Sequence, residues 1–256
     1  IGTAQKNFIE RIDVVNNTRT LDSVIRREME IIEGDPFNRL KIDRSLRNLR
    51  GLGYFRDVDV ETLPGSAANS GVLRIKVEEQ PTGEISIAAG IGTNGLQSGG
   101  QLNEKNFLGK GINLNTEIQL TEDSVKGQVV YSKPNFAYTD NTLFTSLRSI
   151  NNDFLSLYGY ETKEIGFSLG TRFEQYENLF FSPEIDFTIE DLSTNSTASS
   201  NLKKQEGNYT DLYFNYSLDY DLRDSSYNTK SGYITSFTQE LPVVSENNEI
   251  SNAFAA

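Results

Sequence analysis

From residue 84 onward the chain alternates apolar and polar residues with a period of two, and this feature limits its fold more than any other. In residues 111–121, Ile112, Leu114, Thr116, Ile118 and Leu120 fall on one side of an extended strand, and Asn113, Asn115, Glu117, Gln119 and Thr121 on the other. The same reading holds for Ile85, Ile87, Ala89 and Ile91, for Ile165, Phe167 and Leu169, for Ile185, Phe187 and Ile189, and for Leu212, Phe214, Tyr216, Leu218 and Tyr220. About nine such stretches of about ten residues follow one another, a length that suits strands crossing a bilayer at a tilt. No apolar run approaches the ~18 residues of a membrane-spanning helix.

Period two also describes the half-buried strands of a soluble sandwich or a lipocalin-like ligand carrier. Two features favour a membrane barrel. The polar face carries many charges and glycines, as a wide lumen would, and aromatics gather at strand ends, as interfacial girdles do. Tyr131, Phe136 and Tyr138 lie around Pro134, and Tyr176, Phe180 and Phe181 precede Pro183. Short turns such as Leu108, Gly109, Lys110 and one long Ser/Thr/Asn-rich segment, residues 192–208, predict short connections on one rim and longer loops on the other.

Residues 1–80 read differently, which puts a boundary near Gln80, Pro81 and Gly83 and separates residues 1–80 from 81–256. Phe8, Ile9, Ile12, Val14 and Val15 form a β-branched run ended by Asn16 and Asn17. Thr20 is placed to cap a helix carrying Leu21, Val24, Ile25 and Met29, which Gly34, Asp35 and Pro36 stop. A second helix carries Leu40, Ile42, Leu46 and Leu49, with five Lys or Arg residues between Arg39 and Arg50, and ends at Gly51 and Gly53. Residues 55–63 and 71–79 read as strands, giving a β-α-α-β-β, α+β module.

The formal net charge of -12 argues against phosphate-backbone binding, so nucleic acid is not an expected partner. With neither Cys nor His, thiolate and imidazole chemistry are out of reach, and no cofactor or enzymatic activity is expected. The acidic pairs Glu78, Glu79 and Glu184, Asp186 read as linker and lumen wall. Without an initiator Met or an export signal, both ends read as truncated. An open sheet with an apolar face is expected to need detergent.

At these residues the chain resembles the BamA family of outer-membrane assembly proteins. The strand at residues 8–15, then Asn17, Thr20, Ile25, Arg26, Arg27, the run Glu33 to Asn38 with Gly34, and Leu52, Gly53, Tyr54, Phe55 are similar to a POTRA module, the last before the barrel. Residues 78–83 resemble the link into the barrel. Asn106, Phe107, Leu108, Gly109, Gly111 is similar to the turn after the second barrel strand, and Ser132, Lys133, Pro134, Asn135, Phe136 to the end of the fourth. Tyr220, Asp221, Leu222, Arg223, Asp224, Ser225 with Gly232 looks like a family hairpin in which Thr229 and Lys230 replace the usual Pro and Thr. The resemblance implies a partial antiparallel transmembrane barrel, about nine strands of about sixteen.

The resemblance also implies a location, in the outer membrane with the POTRA module in the periplasm, and a function. That function is folding and inserting barrel proteins, with unfolded outer-membrane proteins, outer-membrane lipid, accessory assembly lipoproteins and periplasmic chaperones as partners. A POTRA-barrel secretion pore, of the two-partner or TamA-like kind, is the alternative. Edge strands would do the work, because unpaired N–H and C=O groups offer a template. The lateral gate maps to Glu84, Ile85, Ser86, Ile87, Ala88, Ala89, Gly90 and Ile91. The POTRA edge strand maps to Phe55, Arg56, Asp57, Val58, Asp59 and Val60. Glycines in the gate strand make a weakly packed seam or relieve curvature.

Overall fold

A computed structural model describes residues 7–92, 95–224, 229–245 and 251–255, and falls into two compact units. The first comprises Ile1–Gly83 with Glu104–Ile112, and the second Glu84–Asn103 with Asn113–Ala256.

The first unit runs β1 (Phe8–Val15), α1 (Asp22–Arg27), α2 (Arg39–Gly51), β2 (Phe55–Pro64) and β3 (Ser70–Glu79). Its sheet has the order β1-β3-β2, with β1 parallel and β2 antiparallel to the central strand. Ile9, Ile12, Val24, Ile25, Ile42, Leu46, Leu49, Val58, Leu73 and Ile75 form the core between helices and sheet. Tyr54 and Phe55 meet edge-to-face with ring centroids 6.1 Å apart, and both are buried. Gly34 and Gly53 take φ of +91° and +71°, conformations in which a Cβ is strained.

Three expectations for this unit change. Thr20 does not cap α1. The cap position is Leu21, without a side-chain hydrogen bond, while the Thr20 hydroxyl accepts from Asn106 Nδ2 at 2.8 Å. The first helix ends at Arg27, well before Gly34, and Met29 reaches the core from irregular chain. Leu40 is 70 % exposed, because the buried face of α2 holds Ile42, Ser45, Leu46 and Leu49. Asn38, whose Oδ1 accepts from the Leu40 and Lys41 amides at 3.0 and 3.3 Å, is the cap of α2.

The segment Glu104–Ile112 completes this unit. Asn106 Oδ1 accepts from the Gly111 amide at 2.7 Å, and the Gly109 carbonyl accepts from the Leu21 amide at 2.9 Å. A Cβ on Gly109 would lie 1.9 Å from the Arg19 carbonyl oxygen, so only glycine fits there.

Glu79 ties the β1–α1 turn to β3. Its carboxylate accepts from the Thr18, Arg19 and Thr20 amides at 3.0, 2.9 and 2.7 Å, and from the Thr18 hydroxyl at 2.7 Å. Burial pushes this carboxyl up, but the hydrogen bonds, led by the Thr20 amide, outweigh it and hold the group at about 2. A pKa below the unfolded value gives stability that is present above the unfolded pKa and lost as pH falls toward 2. Glu79→Gln is therefore expected to lower the protection of the Thr18–Thr20 amides near neutral pH and to abolish the pH dependence of that protection between about 4.5 and 2. Exchange mass spectrometry of the detergent-solubilised chain checks this, and unchanged exchange would sink it.

The second unit is a ten-stranded antiparallel meander in which every strand neighbours the next in sequence. The strands are β4 (Gly83–Gly92), β5 (Gly95–Glu104), β6 (Asn113–Leu120), β7 (Ser124–Lys133), β8 (Thr142–Phe154), β9 (Tyr160–Tyr176), β10 (Leu179–Thr194), β11 (Gly207–Asp221), β12 (Ile234–Val244) and β13 (Ser251–Ala255). A helical turn, α3 (Ser200–Lys204), interrupts the connection from β10 to β11. The sheet is open, with β4 and β13 at its edges. Connections do not sort by length between rims: the rim holding residues 105–112, 134–141 and 177–178 also carries 222–233, as long as 195–206 opposite. At 17 residues β9 runs about 55 Å, more than a tilted crossing of about 30 Å needs, so its ends stand beyond the bilayer.

Candidate functional site

The register fixes what each face of the strand half presents. Val129, Leu147, Phe167, Phe187 and Leu212 are successive cross-strand partners from β7 to β11. Tyr131, Thr145, Leu169, Ile185, Phe214 and Leu241 form a second row. On this face Ile165 is 59 % and Ile185 54 % exposed, whereas on the opposite face Ser168 is 3 % and Asp186 6 % exposed. Water would penalise so wide an apolar face, so the arrangement suits lipid outside and a polar concavity inside. Phe181 meets Phe173 and Tyr216 at centroid distances of 5.7 and 6.0 Å, and Tyr216 meets Phe237 at 6.2 Å. This belt on the apolar face includes Phe181, one of the aromatics the sequence points to, but Phe180 lies on the inner face, where its ring carries the Arg172 guanidinium at 4.7 Å.

The inner face holds a charge network across β8, β9 and β10. Arg148 donates from Nε to Glu164 at 2.7 Å, and from Nη1 and Nη2 to the two Asp186 oxygens at 2.5 and 2.9 Å. Its Nη2 also reaches the Thr188 hydroxyl at 2.6 Å. The guanidinium lies over Gly166, where a Cβ would sit 2.4 Å from it, and Phe144 lies likewise over Gly170. These two glycines are seats for large inner side chains. Arg172 pairs with Asp219 and donates to the Ser182 hydroxyl at 3.2 Å.

The gate candidates Glu84, Ile85, Ser86, Ile87, Ala88, Ala89, Gly90 and Ile91 all lie in β4, an edge strand, and all are exposed. A Cβ on Gly90 would meet nothing within 4 Å, so neither packing nor φ among the described residues demands glycine there. Beside this strand a cavity of about 600 Å³ is lined by Ser86, Gln97 and Gly99 together with the apolar Ile87, Ile91 and Leu120.

The second candidate set, Phe55, Arg56, Asp57, Val58, Asp59 and Val60, lies in β2 at an edge of the three-stranded sheet. Phe55 and Val58 point into the core, while Arg56, Asp57 and Asp59 are exposed. The structure therefore places the two sets in separate sheets.

The hairpin residues form a closed motif. Asp224 Oδ1 accepts from the Lys230 and Ser231 amides at 3.0 and 3.2 Å, and Arg223 grips Asp221 through Nε and Nη2 at 2.8 and 2.6 Å. Gly232, at φ +95°, would put a Cβ 2.1 Å from the Leu222 carbonyl oxygen. Ser225 lies outside the described residues. Sequence reasoning missed the Arg148 network. A signal was available in the Gly166 and Gly170 alternation of β9, which is the mark of a strand that yields space to its neighbours.

Two family models match the chain: POTRA, described as surface antigen variable number repeat, over residues 8–80, and the Omp85 superfamily domain over residues 106–253. An outer membrane protein assembly factor BamA of Nitratidesulfovibrio vulgaris is 39 % identical over 113 residues, 43 % of this chain and 14 % of that relative. The solved structure of BamA from Haemophilus ducreyi lacking POTRA domains 1–3 superposes with a TM-score of 0.77 at 20 % identity, covering 93 % of this chain and 48 % of that one. CdiB from Escherichia coli gives a TM-score of 0.54 at 13 % identity, covering 96 % of this chain and 47 % of that one. The chain thus spans less than half the length of each.

Proposed function

We propose that this chain, which belongs to the Omp85 superfamily, is the part of an outer-membrane protein assembly factor that offers strand edges to unfolded barrel proteins. The strand half belongs to the outer membrane and the POTRA module to the periplasm. The observation that carries the reading is the place of β4, the first strand of an apolar-outside sheet and an edge of that sheet among the described residues. An edge in lipid leaves backbone groups without partners, at a cost of several kcal/mol each, and an incoming strand relieves it. Templating of this kind consumes no nucleotide and needs no catalytic side chain. Its partners are unfolded outer-membrane proteins, together with lipid, accessory lipoproteins and chaperones.

A secretion pore is the second reading, favoured by the fold shared with CdiB. The full-length parent protein in liposomes separates the two. Faster insertion of an unfolded barrel protein, lost when a disulfide pins residues 84–91 to the strand closing the barrel, supports assembly. Membrane insertion without that acceleration favours the pore, and failure to enter the bilayer sinks both.

A further inference from the structure

The two edges of the three-stranded sheet are treated differently by the fold. Beside β1 the chain runs back along the edge: the Ile9 amide donates to the Asp35 carbonyl at 2.9 Å, the Gly34 amide to Ile9 at 2.7 Å and the Phe37 amide to Asn7 at 2.8 Å. That edge is closed by backbone over residues 7–9, and at Ile12 the amide donates to Glu33 and the carbonyl accepts from Arg26. Along β2 no backbone of the described residues pairs on the outer side.

At Val58 the two outward backbone groups carry side-chain partners instead. Its amide donates to Asp57 Oδ1 at 2.9 Å, and its carbonyl accepts from Arg50 Nη2 at 2.6 Å. In an antiparallel pair successive residues alternate between facing the partner and facing away, so Val60 and Thr62 also point their amides and carbonyls outward. On the solvent side of the sheet β2 then presents Asp57, Asp59 and Glu61 in a row. Glu61 is already paired with Lys76 across the strands. Asp57 and Asp59 form no close ion pair among the described residues, although Lys76, paired with Glu61, stands opposite Asp59 in the register, and Glu78, the partner of Asp57 on β3, is paired with Arg56. Val58 and Val60 face the other side, the first buried and the second packed against the core.

We infer that the β2 edge selects extended segments with Lys or Arg at alternate positions and apolar residues between them. An incoming antiparallel strand bonded to Val58, Val60 and Thr62 sets its side chains opposite Asp57 and Asp59 in the closely spaced, non-hydrogen-bonded pairs. Cations there meet two carboxylates that no close ion pair occupies, and carboxylates there meet like charge at short range. On the other side the segment continues the apolar face of Val60. Arg50 and the Asp57 side chain leave the Val58 backbone as the strand arrives, which frees Asp57 to face a cation. This charge preference rests on the edge-templating function proposed above, and names the class of segment that the POTRA edge accepts.

The test uses the whole chain in detergent with three fluorescent eight-residue peptides of alternating pattern, carrying Lys, Glu or Ser at the polar positions. The Lys peptide is expected to bind about tenfold more tightly than the Glu peptide at low salt, with the gap narrowing as salt rises. Asp57→Asn with Asp59→Asn should bring the three together, and Asp59→Lys should reverse the order. Equal binding of Lys and Glu peptides by the unaltered chain would overturn the charge preference and leave edge templating standing. No binding of any peptide, or binding that Val60→Pro leaves unchanged, would overturn the edge reading as well.

Discussion

Arginine in place of Phe167 is expected to destabilise the membrane-inserted strand half by about 2–4 kcal/mol, the cost of a cation on the lipid face near the bilayer midplane. Phe167 sits at the centre of the row from Val129 to Leu212, with Leu147 and Phe187 as direct cross-strand neighbours. Its side chain therefore projects into lipid from the apolar face, between apolar cross-strand neighbours. Asn115→Arg, on the inner face and two residues from Glu117, is the matched control and is expected to change stability by less than about 0.5 kcal/mol. Urea midpoints of the bilayer-reconstituted protein, read by gel mobility, compare the two. Equal losses would overturn the assignment of faces.

Period two made that assignment readable in the sequence, because a strand's facing is decided residue by residue and one apolar side is enough to set it. Ile165, Phe167 and Leu169 can be placed outward without knowing their neighbours. The β-α-α-β-β order of the POTRA half was legible for a similar reason, since α2 and β3 carry clean helical and buried patterns. Contacts between distant residues were not legible. Thr20 has the chemistry of a helix cap, yet a buried partner 86 residues away, Asn106, and the amide clamp of Glu79 use its hydroxyl and amide instead. The segment Glu104–Ile112 reads as a barrel turn, but Gly109 and Asn106 fit it against Arg19 and Thr20. Tertiary contacts of that range have no local signature.

On the inner face, Arg148→Ala is expected to destabilise the strand half by about 3 kcal/mol, because it leaves charge behind rather than because it removes a favourable pair. Arg148 faces two carboxylates, Glu164 and Asp186, so the cluster carries a formal charge of about -1, and becomes about -2 without the guanidinium. The Asp186 side chain keeps only 9 % of its exposure, which limits how far lumen water can solvate it. Lysine is a poor substitute, since one ammonium cannot supply the fork that reaches both Asp186 oxygens, Glu164 and Thr188, and Arg148→Lys should lose about half as much. Asp186→Asn, which leaves Arg148 paired with Glu164, should lose less than Arg148→Ala. The double change Arg148→Met with Asp186→Leu removes both charges and is expected to recover most of the loss. The same urea series reads all four variants. If the double variant is as unstable as Arg148→Ala, the network holds the wall through its hydrogen bonds and packing over Gly166, and stranded charge is not what the single change exposes.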